Sequence, residues 1–139
     1  MMSNSAIALI AFAGWTVLLV IAIVSLRSWI FLVNKRESAE FRPDGSDVNA
    51  FHVRINRAHA NCVENLPIFA AIVLAAMVTG HTDVTDPLAL WVFGARVGQT
   101  LTHLVSTSNA AITVRVTFFT VQLAIEAYWV VKLLQVAFG

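Results

Sequence analysis

"RINRAHANCVENLPIFAAIVLAAMV", residues 54–78, joins a polar segment directly to an apolar one. From Leu66 onward this stretch carries no charged side chain, which is typical of a helix inside a lipid bilayer. A helix advances 100° per residue, so five polar side chains of the first half fall within an arc of about 100°. These five are Arg54, Arg57, Asn61, Glu64 and Asn65. The polar residues therefore follow one helical face, and His59 lies on the opposite side of the same helix.

The composition of the whole chain is that of a membrane protein. Hydrophobic residues make up 58% of the 139 residues and charged residues 12%, against about 25% charged residues in a soluble domain. The mean hydropathy of +0.77 also indicates that lipid surrounds most of the chain. A net charge of +1 is too small to predict a nucleic-acid partner, and the length predicts a single domain, residues 1–139.

Several motifs that would point to a specific chemistry are missing from the sequence. The single cysteine, Cys62, allows no intrachain disulfide, and no Cys/His cluster has the spacing of metal ligands. No Gly-rich phosphate-binding loop occurs either. The remaining candidates for chemistry are the polar residues on the predicted helices.

Four apolar segments predict four membrane spans, at about 6–33, 48–79, 87–106 and 110–137. The first segment is too long for a signal peptide and lacks the positively charged start of one. Residues 34–47 are rich in charge and contain a proline and a glycine, which predicts a loop. Pro87 is expected at the first position of the third helix, with Thr85 or Asp86 as its cap. The predicted architecture is an all-α, integral membrane four-helix bundle.

Lysine and arginine are distributed unevenly among the predicted connections. The 80–87 turn and the N-terminal tail hold neither residue type. The 34–57 region holds Lys35, Arg36, Arg42, Arg54 and Arg57. Because positively charged loops stay on the cytoplasmic side, loop 34–47 is expected there and both termini on the opposite side.

A second polar group continues into the later spans. Arg96, Thr100 and His103 repeat a helical spacing of four and three, and Arg115 lies about one turn inside the fourth span. A charged side chain in hydrocarbon costs about 2.5–3.5 kcal/mol, so it is expected to face the bundle interior, a partner or a wet cavity. The arginines in these helices outnumber the one acid near them, Glu64, and this surplus favours an anionic ligand such as a carboxylate.

Structural roles for some of these residues remain open. Arg54 and Arg57 could be interfacial arginines that follow the positive-inside rule without binding a ligand. Glu64 could serve only to neutralise one arginine. Cys62 is expected to pack as a small hydrophobic side chain, because the sequence shows no nearby base that would activate it as a nucleophile.

The segment "RINRAHANCVENLPIF" (54–69) resembles the signature of the MAPEG family, the membrane-associated proteins of eicosanoid and glutathione metabolism. "ARVGQT" (95–100) is similar to a second family feature, Ala-Arg-x-x-x-Thr in span three, and Arg115 matches an arginine near the start of span four. The signature is matched by Arg54, Arg57, Ala58, His59, Asn61, Glu64, Asn65, Pro67 and Phe69. Together with the four spans, the resemblance covers nearly the whole chain.

The resemblance implies a homotrimer of four-helix bundles that binds glutathione between subunits, near the cytoplasmic face. It implies glutathione transferase or peroxidase activity on hydrophobic electrophiles or lipid hydroperoxides, with glutathione as the co-substrate. Arg115 would be the catalytic residue beside the glutathione sulfur. The residues that would bind glutathione are Arg54, Arg57, Asn61, Glu64, Arg96 and Arg36.

One position departs from part of the family. Several eicosanoid-synthesising members have a tyrosine where this chain has His103, and the chain's only tyrosine, Tyr128, lies far along span four. Two alternatives remain beside a transferase: a non-catalytic lipid-binding or scaffold protein of the same architecture, and a small transporter whose arginines select anions. Against the transporter, the sequence lacks the broken helices that transporters have near the membrane midplane.

Overall fold

A computed structural model describes residues 1–34 and 42–139, and within these ranges the chain forms four α-helices. They are α1 (Asn4–Asn34), α2 (Ala50–Val78), α3 (Thr82–Val105) and α4 (Asn109–Phe138). The predicted all-α, four-helix architecture is therefore confirmed.

Short connections and side-chain caps set the helix ends. The Asn49 side chain accepts a hydrogen bond from the amide of His52 at 2.9 Å and so begins α2. The Ser108 side chain caps α4 in the same way, through the amide of Ala111. Gly80, with φ +78°, takes the left-handed conformation that ends α2 and starts the turn into α3. Such tight turns make successive helices antiparallel neighbours.

The third helix begins earlier than the sequence predicts. It starts at Thr82, so Pro87 lies inside α3 rather than at its first position. Asp86 accepts hydrogen bonds from the backbone amide and the hydroxyl of Ser5, at 2.8 and 2.6 Å, and the Thr85 hydroxyl bonds the same hydroxyl at 2.7 Å. Both expected caps of α3 are thus engaged with the start of α1, and the predicted start of α3 is wrong for that reason.

Helix α3 packs against all three other helices and makes the most extensive interhelical contacts among the described residues. Its most extensive contact is with α4, and Gly98 lies in that interface. A Cβ at Gly98 would come within 2.8 Å of the Phe118 ring, so the missing side chain allows the two helices to approach closely.

Aromatic rings from three helices form the centre of the apolar core. The ring centroid of Phe69 lies 5.4 Å from that of Phe12 and 6.0 Å from that of Trp129, and all three side chains are fully buried. These tilted contacts tie α1, α2 and α4 together at one level of the bundle.

The outer surface suits a lipid environment. Among the described residues, α1, α2 and α4 are long and apolar enough to cross a membrane by length and composition. Large apolar side chains on α1 and α4 point outward, among them Ile10, Leu18, Val116 and Leu134. This arrangement is consistent with an integral membrane protein, while the sidedness of the loop and termini stays a prediction.

We expect Phe69→Ala to destabilise the bundle by about 1–3 kcal/mol, since a packing cavity replaces the ring while transfer from water contributes little inside a membrane. The measurement is thermal unfolding of the purified protein in detergent micelles. Phe31→Ala is the control, because Phe31 is exposed on α1. Equal melting temperatures for the two variants would contradict the central position of Phe69.

Candidate functional site

A cavity of about 370 Å³ opens between α2, α3 and α4. Its polar lining residues come from all three helices, and its apolar lining residues come from α4 alone. The polar residues are Arg57, Asn61, Gln99, His103 and Arg115, and the apolar residues are Ile112, Val116 and Phe119. The fold therefore brings together residues that are up to 62 positions apart in the chain (119 − 57).

The cavity is positively charged. Two guanidinium groups, those of Arg57 and Arg115, lie on its wall, and the described residues place no acidic side chain there. His103 also lines the cavity, and the positive charges of Arg115 and Arg57 both act on its ring. Arg57 is exposed and Arg115 is half-buried, so their charges reach the open side of the cavity. This arrangement favours an anionic ligand that can accept hydrogen bonds.

Asn61 connects the cavity wall to the bundle core. Its side-chain oxygen accepts a short hydrogen bond from Nη1 of Arg96 and a second one from Nε2 of Gln99 at 3.2 Å. Its backbone carbonyl accepts from the Asn65 side chain at 2.9 Å. Arg96, Gln99 and Asn65 thereby hold Asn61 in place.

Arg96 lies in the core and does not line the cavity. Its side chain is only 1% exposed, and its guanidinium lies 5.3 Å from the centroid of the Phe12 ring. Nε and Nη2 are buried and have no hydrogen-bond partner among the described residues. Glu126, itself 4% exposed, is close enough to act on Arg96 electrostatically. Arg96 therefore contributes to the site through Asn61 rather than by direct contact.

Two of the other predicted binding residues, Arg54 and Glu64, are not part of the cavity wall. Arg54 donates from Nε to the backbone oxygen of Leu104 at 2.8 Å, and so satisfies a carbonyl in the last turn of α3. Glu64 is exposed on α2, outside the cavity wall. Arg36 falls outside the described residues.

Gln122 is the polar residue of the site region that sequence reasoning missed. It is 1% exposed and donates from Nε2 to Oε1 of Gln99 at 3.0 Å. A glutamine in the apolar run of α4 was the available signal, because a buried amide needs a partner. Arginine spacing alone did not reveal it, since Gln122 belongs to a different helix from the residues it reaches.

A second concave surface lies between the C-terminal parts of α2 and α4. It encloses about 470 Å³, and its walls are almost entirely apolar, with Thr79 and His81 as its polar residues. The groove has the character of a site for an alkyl chain rather than for a charged ligand.

The chain was also compared with known proteins. Comparison with curated proteins and with solved structures found no significant match. The sequence profile of the MAPEG family matches residues 5–135, which is nearly the full length and includes all four helices. The four-helix fold agrees with that match, and the chain belongs to the MAPEG family.

Proposed function

We propose that the protein is a membrane-bound glutathione transferase with peroxidase capacity, acting on hydrophobic electrophiles or lipid hydroperoxides. The observation that carries the proposal is the cavity in which Arg57 and Arg115 lie together with the apolar side chains of α4. The polar residues suit the carboxylates and thiolate of glutathione, and the apolar residues suit a lipid-soluble acceptor. Family membership supports the proposal, since the family includes glutathione transferases.

Arg115 would be the catalytic residue, because it lines the cavity in which glutathione would bind. A free thiol has a pKa of about 8.5, so only a few per cent is thiolate at neutral pH. A guanidinium beside the sulfur favours the charged form and lowers the pKa of the thiol. Lowering that pKa by two units corresponds to about 2.7 kcal/mol. The thiolate sulfur then attacks the electrophilic carbon, which expels its leaving group or, in an activated double bond, passes the electron pair to a neighbouring atom that takes up a proton. With a hydroperoxide, the sulfur attacks the terminal oxygen and the O–O bond breaks. The products are an alcohol and a glutathione sulfenic acid, which a second glutathione converts to the disulfide and water.

The remaining polar residues would bind the tripeptide. Arg57 supplies a planar donor pair for a carboxylate, and Asn61 supplies amide hydrogen bonds on the same wall. Glu64, one turn further along α2, would bind the amino group of glutathione at the open edge of the cavity. The hydrophobic substrate would enter sideways from the bilayer, past Ile112 and Val116.

A homotrimer would complete this site. In one chain the cavity is open, Arg57 and Glu64 are exposed, and α4 buries few of its side chains. A neighbouring subunit packed against this surface would exclude water and strengthen the interactions of both arginines with the ligand. In the proposed orientation, loop 34–47 and the cavity lie at the cytoplasmic side, where water-soluble glutathione is available.

The apolar groove supports a second candidate function, a non-catalytic lipid-binding protein of the same family. The groove encloses about 470 Å³ and lies far along α2 and α4 from the arginine cavity. Ultraviolet absorbance of the thiolate on adding glutathione to purified protein separates the two functions. A thiolate band at neutral pH is expected for the transferase, and a lipid binder gives none.

We expect Arg115→Ala to lower kcat by about ten- to a hundredfold at neutral pH, because the thiolate fraction falls when its counter-charge is lost. Glutathione affinity should change much less, since Arg57 and Asn61 remain. Turnover with a hydrophobic electrophile and titration calorimetry measure the two effects. Lys132→Ala is the control, an exposed cation on the same helix. Turnover of Arg115→Ala close to that of the wild type would reject the catalytic assignment.

We expect Arg57→Ala to raise the glutathione dissociation constant by about tenfold or more, because a charge-assisted hydrogen bond is lost. Glu64→Ala should weaken binding less, since Glu64 is not part of the cavity wall. Calorimetry in detergent micelles measures both constants, and Arg42→Ala, in the exposed loop, is the matched control. Unchanged constants in both variants would show that glutathione binds elsewhere.

A further inference from the structure

Three side-chain amides form a continuous chain across the bundle from α4 to α2. Nε2 of Gln122 donates to Oε1 of Gln99 at 3.0 Å, and Nε2 of Gln99 donates to Oδ1 of Asn61 at 3.2 Å. We refer to Gln122, Gln99 and Asn61 as the amide chain. Its first member is 1% exposed and its second 7% exposed, and its second and last members both line the cavity.

The α4 end of the amide chain has only one possible orientation. Nε2 of Gln122 also donates to the backbone oxygen of Phe118 at 2.9 Å, and a carbonyl oxygen can only accept. The atom facing Phe118 must therefore be the nitrogen of Gln122. The same nitrogen faces Gln99, which must then present its oxygen to Gln122 and its nitrogen to Asn61.

The contacts at the α2 end require the same orientation of the amides, independently of those at the α4 end. Arg96 has only donors, so the Asn61 atom that it contacts must be the oxygen. This oxygen also accepts from Gln99, so the assignments from both ends meet without conflict. Oε1 of Gln122 stays buried without a partner among the described residues. The reverse orientation would place that oxygen against two other oxygens, which explains why the unpartnered acceptor is tolerated.

The fixed orientation determines what Asn61 offers to a ligand. With Oδ1 occupied by two donors, Nδ2 is left with no hydrogen bond inside residues 1–34 and 42–139. Asn61 lines the cavity beside Arg57, so its free amide protons add to a wall of donors. Such a wall selects a group that only accepts, namely a carboxylate or a peptide carbonyl.

We infer that Gln122 and Gln99 are positioning residues, which hold the Asn61 amide so that Nδ2 donates to a carboxylate or peptide carbonyl of the bound thiol. The inference rests on the proposed function for the identity of that ligand. Gln122 acts through Gln99 and touches neither substrate. It adds to the site a residue from the middle of α4 that lies outside the cavity wall.

Substitutions at Gln122 test the positioning role in the full-length protein in detergent micelles. Gln122→Met keeps the size but removes both hydrogen bonds, so Gln99 and Asn61 lose their fixed orientation. We expect the glutathione dissociation constant and KM to rise about three- to tenfold, with kcat within about twofold of the wild type, because Arg115 is untouched. Gln122→Glu should raise the glutathione dissociation constant and KM further. The carboxylate oxygens only accept hydrogen bonds, so the Gln99 amide must reverse and place its oxygen against that of Asn61.

Asn61→Asp tests the orientation directly. One carboxylate oxygen keeps the contact with Arg96, but the other replaces a donor with an acceptor on the cavity wall. We expect binding of glutathione to weaken by about tenfold or more, since two acceptors then face each other. Gln135→Met is the matched control for the substitutions at position 122, as an exposed glutamine on the same helix.

The outcomes separate this inference from the proposed function. If the wild type binds glutathione but the substitutions at Gln122 lower kcat and leave KM unchanged, Gln122 is only a structural residue and the inference is overturned. Unchanged or tighter binding by Asn61→Asp overturns the donor orientation. If the wild type binds no glutathione, the proposed function fails and this inference with it.

Discussion

The contact between the buried guanidinium of Arg96 and the side-chain oxygen of Asn61 is the interaction on which the rest of the site depends. A charge that is 1% exposed in an apolar bundle needs acceptors or a counter-charge within reach. Asn61 provides the acceptor, Phe12 provides a ring face, and Glu126 provides a nearby negative charge. These residues come from four different helices, so the interactions of one buried cation connect all four helices of the bundle.

The same requirement separates the core from the cavity. Because Arg96 uses the oxygen of Asn61, the amide nitrogen is turned away from the core. Arg57 and Arg115 remain on the wall, where they have no acidic neighbour among the described residues. Apolar side chains of α4 line the same cavity. A cavity that combines cationic and apolar side chains suits a reaction between a water-soluble anion and a membrane-dissolved molecule, which is the chemistry that we propose.

Prediction of the fold from sequence succeeded where the physical signal was local. Long apolar runs indicated the helices, and Pro, Gly and charge indicated the loop. The start of α3 was wrong because Thr85 and Asp86 bind Ser5, 80 positions earlier in the chain (85 − 5). Local capping rules consider only neighbours in the sequence, so they cannot predict that these side chains bond Ser5 instead of capping α3. Either arrangement satisfies the hydrogen bonding of Thr85 and Asp86.

Much of the polar set was available from the sequence, but its division of labour was not. Helical spacing placed Arg57 and Asn61 on one face of α2, and an uncompensated positive charge indicated an anionic ligand. Spacing on a single helix fixes direction relative to that helix only, and it was the family resemblance that implied one glutathione pocket for Arg54, Glu64 and Arg96. Tertiary packing set Arg54 against the end of α3, left Glu64 at the surface and buried Arg96. It also brought Gln122 against Gln99, because contacts between helices depend on their rotation and depth, which no single helix encodes.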